Sequence, residues 1–296
     1  MKIIGVRKIW YAISILTVGG SILALSLFGL KQGIDFTGGS LLFVRFDQRP
    51  TPEVAEKTLA EFNLGGMVIQ PVGEQDMNFR MQSLNEETHQ LILKKLADSF
   101  GTVTELQFNS IGPSVGKELR SKSLTALLIV FITILMYIAW VFRKVSAPVK
   151  SWKYGVVCII SAFHDIIIPF GLFAVLGKLY NVEIGTPFIA AVLTVMGYSI
   201  NDTIVVFDRI RENLLHTSGS FEQIVENSVH QTLWRSVNSS VTTLLALLAV
   251  YLFSGASIKD FALALIVGVA TGTYSSIFIA SPLVVDWNNW TMRGRK

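Results

Sequence analysis

One carboxylate lies inside an apolar stretch that is long enough to cross a membrane. Asp202 follows Asn201 within residues 185–207, where the other side chains are mostly apolar or small. A carboxylate that faces lipid costs at least about 2.5–3.5 kcal/mol, so Asp202 must face other helices, bind a proton or pair with a cation. Two interpretations stay open. Asp202 is either a proton-binding site on a transport path or a structural residue at a frayed interface near Asp208 and Arg209.

A polar face in the next apolar stretch supplies a candidate partner for Asp202. Its members recur mainly at steps of three and four residues, and they are Gln231, Thr232, Arg235, Asn238, Ser239 and Thr242. Arg235 stands at the entrance to this face, and its guanidinium keeps its proton, so it could form an ion pair that a proton on Asp202 would break. The alternative is a flanking arginine that contacts lipid phosphates. The predicted proton-relay residues are Asp202, Arg235, Asn201 and Asn238.

A second ionisable pair, His164 and Asp165, lies midway through residues 154–176. Adjacent residues of a helix point in different directions, and Pro169 frees the backbone carbonyl of Asp165. The pair is either a second part of a proton path or a hydrogen-bonded brace, and the sequence favours neither interpretation.

The composition identifies the elements that must hold these residues. Of the 296 residues, 51% are hydrophobic and only 16% are charged, whereas about 25% of an average soluble domain is charged. About 20 apolar residues cross a bilayer. Six predicted transmembrane helices follow, at residues 9–30, 123–142, 154–176, 185–207, 236–258 and 261–285.

Positive charge is distributed unequally between the two ends of these helices. One side has thirteen such residues: Lys2, Arg7, Lys8, Arg143, Lys144, Lys150, Lys153, Arg209, Arg211, Arg235, Arg293, Arg295 and Lys296. The short loops of the other side have two, Lys178 and Lys259. Because basic loops stay in the cytoplasm, we expect both termini to be cytoplasmic. The predicted domains are 1–30 (N-terminus and first helix), 31–120 (external) and 121–296 (helices two to six and C-terminus).

The external segment has the charge and pattern of a water-soluble domain. It has 9 Lys and Arg against 12 Asp and Glu. Strands are predicted at 40–46, 67–72, 77–81 and 102–108, with helices that begin after Thr51 and Asn85. The order β-α-β-β-α-β predicts a ferredoxin-like α+β sandwich, which we interpret as an interaction or gating module.

Small residues recur every fourth position of the last predicted span. They are Ala264, Gly268, Gly272, Ser276 and Ala280. Such a stripe lets two helix backbones approach closely, so we interpret it as a helix-packing surface.

Several classes of function are excluded or disfavoured. Cys158 is the one cysteine, so the chain has neither an internal disulfide nor a cysteine-based metal site. A net charge of +4 is too weak to indicate a nucleic-acid partner. We find no nucleophile with its base, so we expect neither an enzyme nor a catalytic residue. We also expect no metal and no cofactor, with protons as the coupling ion.

Five motifs carry a resemblance to a known family. They are GIDFTGG at 33–39, GPSVGKEL at 112–119, GYSINDTIVVFDRIREN at 197–213, QTLWRS at 231–236 and GTYSSIFIA at 272–280. With these motifs the chain resembles the SecF branch of the SecD/SecF family of bacterial protein-export membrane proteins, within the RND-type transporter superfamily. The resemblance covers nearly the whole chain.

This resemblance implies a multi-pass protein of the bacterial inner membrane, with the fold of one six-helix RND-type half. It implies a heterodimer with a separate SecD chain, beside a SecY-type channel and its accessory subunits. The complex would use the proton motive force to promote translocation of secretory proteins after SecA has inserted them. The family's key aspartate and arginine fall on Asp202 and Arg235. The alternatives are an RND-type small-molecule exporter subunit and a passive scaffold of the translocon.

Overall fold

The computed structural model describes residues 2–141 and 149–293. These residues form two compact units, one of residues 32–125 and one of the residues up to 31 together with those from 126 onward. The predicted end of the second span, Phe142, lies outside the described residues. So do four residues of the predicted cytoplasmic flanks, Arg143, Lys144, Arg295 and Lys296.

Six helices of the described chain have the length and apolar composition to cross a membrane, which confirms the predicted multi-pass helical architecture. These segments are Ile4–Phe28, Pro113–Ile138, Trp152–Tyr180, Thr186–His216, Phe221–Phe253 and Ile258–Arg293. The helices are α1 (Arg7–Phe28), α5 (Pro113–Val141), α6 (Ser151–Tyr180), α7 (Thr186–His216), α8 (Phe221–Phe253) and α9 (Ala256–Ser275). A π-helical turn, Ser276–Ala280, connects α9 to α10 (Ser281–Arg293) without a break.

Local sequence signals explain where the functional helices begin. At the start of α7, Gly185 is extended and Pro187 occupies the first turn, where proline removes no helical hydrogen bond. At the start of α8, Ser220 and Gln223 form a capping box, in which each side chain bonds the backbone N–H of the other residue. Both signals fix the residues at which the helices that carry the polar side chains begin.

Helix α9 lies at the centre of the membrane unit. It packs against α6, α7 and α8, while α1 packs against α6. The apolar core around these helices includes Tyr154, Val157, Phe207, Ile210, Val229 and Val284, all at most 1% exposed. The polar side chains of α6, α7 and α8 can therefore meet at α9.

The N-terminal segment is bonded to the first turns of α8 and to the middle of α10. Backbone N–H groups of Ile3 and Ile4 donate to the two carboxylate oxygens of Glu226, at 2.6 and 2.8 Å. The Arg7 guanidinium lies 2.9 Å from Asp286 on α10, and the Tyr11 hydroxyl donates to the same carboxylate at 3.0 Å. These contacts fix α1 against both helices.

The second unit is an antiparallel sheet covered by two helices, and all of its predicted strands and helices are present. Its elements are α2 (Ile34–Thr37), β1 (Gly39–Phe46), α3 (Pro52–Leu59), β2 (Val68–Val72), β3 (Asp76–Met81), α4 (Glu86–Phe100) and β4 (Val103–Ile111). The strand order is β2-β3-β1-β4. Alternate residues of β1 and β3 point into a core completed by α3 and α4, formed by Leu42, Val44, Phe46, Ala55, Leu59, Met77, Phe79, Ile92 and Leu96.

The glycine motifs at both edges of this unit meet each other. Gly38 has a left-handed backbone, with φ of +74°, and lies against Pro113. A Cβ added at Gly116 would lie 2.7 Å from the Gly38 backbone nitrogen, so only glycine fits there. The two motifs therefore hold the start of β1 against the start of α5.

An exposed ion pair on this sheet gives a pH-dependent prediction. Arg45 donates two hydrogen bonds to Asp76, at 2.7 and 2.9 Å, which lowers the pKa of the Asp76 carboxyl. A lowered carboxyl pKa contributes stability above the unfolded-state pKa of about 3.9, and the contribution is lost as the pH falls through the lowered value.

We therefore expect Arg45→Gln to reduce amide protection in β1 and β3 slightly at neutral pH, since exposed pairs contribute little. Hydrogen exchange on the full chain measures this difference. It should disappear in acid, and a difference that persists at the lowest pH would refute the assignment to this pair.

Candidate functional site

Asp202 on α7 accepts hydrogen bonds from serines on two neighbouring elements. Ser236 Oγ on α8 donates to Asp202 Oδ1 at 2.5 Å, and Ser276 Oγ on the π-helical turn donates to Asp202 Oδ2. The carboxyl group is half-buried at the place where α7, α8 and α9 meet. A carboxylate with both oxygens held by hydroxyl donors is placed to bind and release a proton without a large movement of the backbone.

Asp165 on α6 has a more enclosed environment and is 0% exposed. It accepts from Ser199 Oγ on α7 and from Ser275 Oγ on α9, the latter at 2.6 Å. His164 Nδ1 lies 2.8 Å from Asp165 Oδ1. Although adjacent residues of a helix were expected to point in different directions, the side chains of His164 and Asp165 meet. Ser161 Oγ extends the cluster by donating to Ser275 at 2.9 Å.

Two adjacent serines connect these carboxylates to a single segment. Ser275 is the last residue of α9 and bonds Asp165, whereas Ser276 begins the π-helical turn and bonds Asp202. Successive residues of a helix are about 100° apart, so neighbouring side chains reach different helices. Single π-helical turns within α-helices frequently occur at functional sites. The two carboxylates also interact electrostatically.

The structure separates the predicted relay residues into two groups. Arg235 interacts electrostatically with Asp202. In the part of the chain that the structure describes, however, its side chain has neither a hydrogen-bond partner nor an ion-pair partner, and it is exposed on α8. Asn201 and Asn238 are exposed as well, and neither is among the groups that bond Asp202. The groups that bond Asp202 are the hydroxyls of Ser236 and Ser276.

The small-residue stripe faces α7. A Cβ added at Gly268 would overlap Val195 Cγ2, and one at Gly272 would lie 3.0 Å from Ser199 Cβ. Ala264 and Ala280 are buried at 1% and 0% exposure. Ser276, interpreted from sequence as a packing residue, in addition donates to Asp202.

The serines that contact the carboxylates were not predicted from the sequence as donors: Ser199, Ser236, Ser275 and Ser276. A weak signal was present only for the last two, because Ser276 belongs to the small-residue stripe and Ser275 precedes it. Further hydroxyl groups lie where α7, α8 and α9 meet, beyond Asp202. Tyr198 Oη lies 3.0 Å from Ser240 Oγ, which lies 2.5 Å from Thr273 Oγ1.

The described residues contain no group of three or more His, Cys, Asp or Glu side chains that could hold a metal ion. Independently of this, carboxyl and imidazole groups such as those of Asp202, Asp165 and His164 are side chains that can bind and release protons.

Comparisons with known proteins identify relatives over the full length. The family model "Protein export membrane protein SecD/SecF, C-terminal" matches residues 92–290, and the model "SecD/SecF GG Motif" matches residues 23–48. Protein translocase subunit SecF of Thermobaculum terrenum is 43% identical over 96% of this chain and 92% of its own length. The subunit of the same name from Anaerolinea thermophila is 36% identical over 100% of this chain and 98% of its own length.

Solved structures of a longer relative are also similar. The crystal structure of SecDF, a translocon-associated membrane protein from Thermus thermophilus, is 35% identical with a TM-score of 0.83. The match covers 98% of this chain but 39% of that chain. A crystal structure of SecDF in a super-membrane-facing form is also 35% identical, with a TM-score of 0.70. That match covers 100% of this chain and 40% of the other chain.

Proposed function

The chain belongs to the SecD/SecF family of protein-export membrane proteins, and from this premise we propose that it is a SecF-type subunit that uses the proton motive force. It promotes translocation of secretory proteins through the Sec channel after SecA has inserted them. Protons are the coupling ion, and the chain itself is not an enzyme.

The observation that carries this proposal is the environment of Asp202. Its carboxylate lies within a membrane-spanning helix, both oxygens accept from serine hydroxyls, and Arg235 is within electrostatic reach. A proton arriving from outside neutralises Asp202 and removes its attraction for Arg235. The contacts that α7 makes with α8 and with the π-helical turn then change, which moves these elements.

The energy available is sufficient for such a movement. One charge that crosses a potential of 100 mV provides about 2.3 kcal/mol. A few protons per cycle could therefore shift a two-state equilibrium by several kcal/mol. A passive scaffold would gain nothing from a carboxylate at this depth.

We propose SecD as a separate partner chain. The SecDF relatives are longer than this chain, which spans 39% of the Thermus thermophilus structure. Polar side chains within the spans are exposed on α7 and α8, among them Asn201, Arg235, Asn238 and Ser239. Polar groups at membrane depth are costly against lipid, which supports a partner that covers this face. A SecY-type channel with its accessory subunits, and the translocating chain, complete the proposed assembly.

The second unit is proposed to be a ferredoxin-like domain on the outer side of the bacterial inner membrane. The strand order β2-β3-β1-β4 and the packing of α3 and α4 on the sheet support this fold. The distribution of Lys and Arg supports cytoplasmic termini.

Cysteine labelling tests this orientation. The one native cysteine, Cys158, is buried, so an introduced cysteine gives the main signal. Gln75→Cys lies in the exposed turn between β2 and β3, and Ser218→Cys lies in the exposed loop between α7 and α8. We expect an impermeant maleimide to label Gln75→Cys in intact spheroplasts and Ser218→Cys only after permeabilisation. The reverse pattern would invert the proposed topology.

Gradient-dependent export tests the function. Inverted vesicles that contain this chain and SecD are assayed for export of a secretory protein, with and without a proton gradient. We expect Arg235→Lys, which keeps the charge but loses the planar guanidinium, to be impaired. Arg235→Met, which removes the charge, should be more strongly impaired. Equal gradient stimulation in wild type and Arg235→Met would contradict a role for this arginine.

A further inference from the structure

The His164 imidazole connects Asp165 to hydroxyl groups on two other helices. Nδ1 lies 2.8 Å from Asp165 Oδ1, and Nε2 lies 3.2 Å from Ser14 Oγ on α1. Ser14 Oγ lies 3.4 Å from Tyr274 Oη on α9, and Tyr274 donates to the Trp10 carbonyl at 2.9 Å. His164 is 6% exposed and Asp165 is 0% exposed, so these contacts stand in place of water.

The network has two complete hydrogen-bonding arrangements that differ by one proton. In the neutral form, His164 donates from Nδ1 to Asp165 and accepts at Nε2 from the Ser14 hydroxyl. In the cationic form both ring nitrogens donate, and Ser14 turns its hydrogen toward Tyr274. Tyr274 keeps its donation to the Trp10 carbonyl in both forms. Rotation of one hydroxyl therefore accommodates the added proton without movement of the heavier atoms.

We infer that His164 and Asp165 form a second proton-binding site of this chain, which gains and loses its proton next to the Ser14 hydroxyl. A purely structural cluster needs only one arrangement of protons in which every donor and acceptor is hydrogen-bonded, whereas this cluster has two. The inference rests on the proposed proton-driven function, because that function gives the second site a place in the cycle.

The charged and titratable groups around the pair couple it to Asp202. Tyr274 faces it from α9, Asp202 on α7 interacts electrostatically with Asp165, and α1 contributes the Ser14 hydroxyl. Within the network itself, the adjacent residues Ser275 and Ser276 each bond one of the two carboxylates. A change of charge at Asp202 therefore changes proton binding at His164 and Asp165.

Nitrogen NMR of the full chain in lipid nanodiscs tests the inference directly. The chain contains four histidines, and the His164 signal is assigned by its loss in His164→Gln. The pH is varied from about 5 to about 9, which brackets the usual histidine pKa of about 6.5. We expect His164 to change between the neutral and the imidazolium spectrum within this range. A single protonation state throughout would overturn the inference.

Variants distinguish a proton-binding site from a structural contact. Ser14→Ala should displace the His164 titration curve, and Ser14→Thr, which keeps the hydroxyl, should restore it. The matched control is Ser21→Ala, because Ser21 is also buried on α1 but packs against Gly171. Identical curves for Ser14→Ala and Ser21→Ala would overturn the role of Ser14.

Asp202→Asn should also displace the curve, and an unchanged curve would refute the coupling. The NMR titration of His164 does not depend on export, so its result can be separated from a failure of the proposed function. That failure would appear instead as export that the proton gradient does not stimulate.

Discussion

The Asp202→Asn variant is expected to lose the gradient-dependent part of protein export and to keep the ATP-driven part. Asparagine has nearly the shape of aspartate and can still bond the hydroxyls of Ser236 and Ser276, so the helices should stay assembled. It cannot bind and release a proton, so a gradient has nothing to act on at this position. Export in inverted vesicles is measured before and after an ionophore collapses the gradient, and the variant should show no difference between the two conditions.

Asp208→Asn is the matched control for this experiment. Asp208 lies on the same helix, but its side chain is 63% exposed and pairs with Arg211 at 3.5 Å. The control should respond to the gradient as wild type does. If Asp202→Asn is still stimulated by the gradient, the proton path lies elsewhere, and His164 and Asp165 become the principal candidates.

The Gly171→Ala variant is expected to destabilise the membrane unit strongly. A Cβ at this position of α6 would overlap both Cα and Cβ of Ser21 on α1. Because the Cα belongs to the backbone, rotation of a side chain cannot relieve this overlap, and α1 must move away. Overpacking of this kind typically costs about 1–3 kcal/mol, occasionally more. Thermal unfolding of the purified full chain in detergent should show a clear decrease in Tm.

Two other glycines provide controls for helix propensity. A Cβ at Gly155, also on α6, would lie 3.6 Å from Ile138 Cγ2, which is ordinary contact, and a Cβ at Gly197 on α7 would meet nothing within 4 Å. Alanine at either position should leave Tm unchanged or raise it slightly, since alanine is favoured over glycine in helices by about 1 kcal/mol. Equal behaviour of all three variants would show that α1 and α6 are not in close contact.

The architecture was predictable because it depends on patterns that act locally. An apolar stretch of about 20 residues identifies a spanning helix without knowledge of its neighbours. Alternation in β1 and the cap at Asn85, whose Oδ1 accepts from the Thr88 N–H at 2.9 Å, likewise follow from adjacent residues. The close contact of Gly268 and Gly272 with α7 follows from their spacing, although the sequence did not indicate which helix they would meet.

The partners of the carboxylates were not predictable in the same way. A serine in a transmembrane helix can bond its own backbone, another helix or a partner, and tertiary packing decides among these. Asp202 was assigned to Arg235 because opposite charges attract, yet two serine hydroxyls occupy its oxygens and the guanidinium interacts at longer range. The contact between His164 and Asp165 was also missed, because a rule for helix faces does not describe side-chain rotamers.

The π-helical turn places one residue more between α9 and α10 than a continuous α-helix of nearly the same rotation would need. Its backbone bonds join residues i and i+5 instead of i and i+4, so the extra residue is accommodated within the turn. Deletion of one residue from Ser276–Ala280 would therefore restore α-helical winding and leave α10 at nearly the same rotation, with Asp286 still near Arg7 and Tyr11. The deletion would instead change the direction in which the side chains of the turn leave the helix, and with it the bond from Ser276 to Asp202. The extra residue thus serves the contact with the carboxylate, whereas the anchoring of the N-terminal segment does not depend on it.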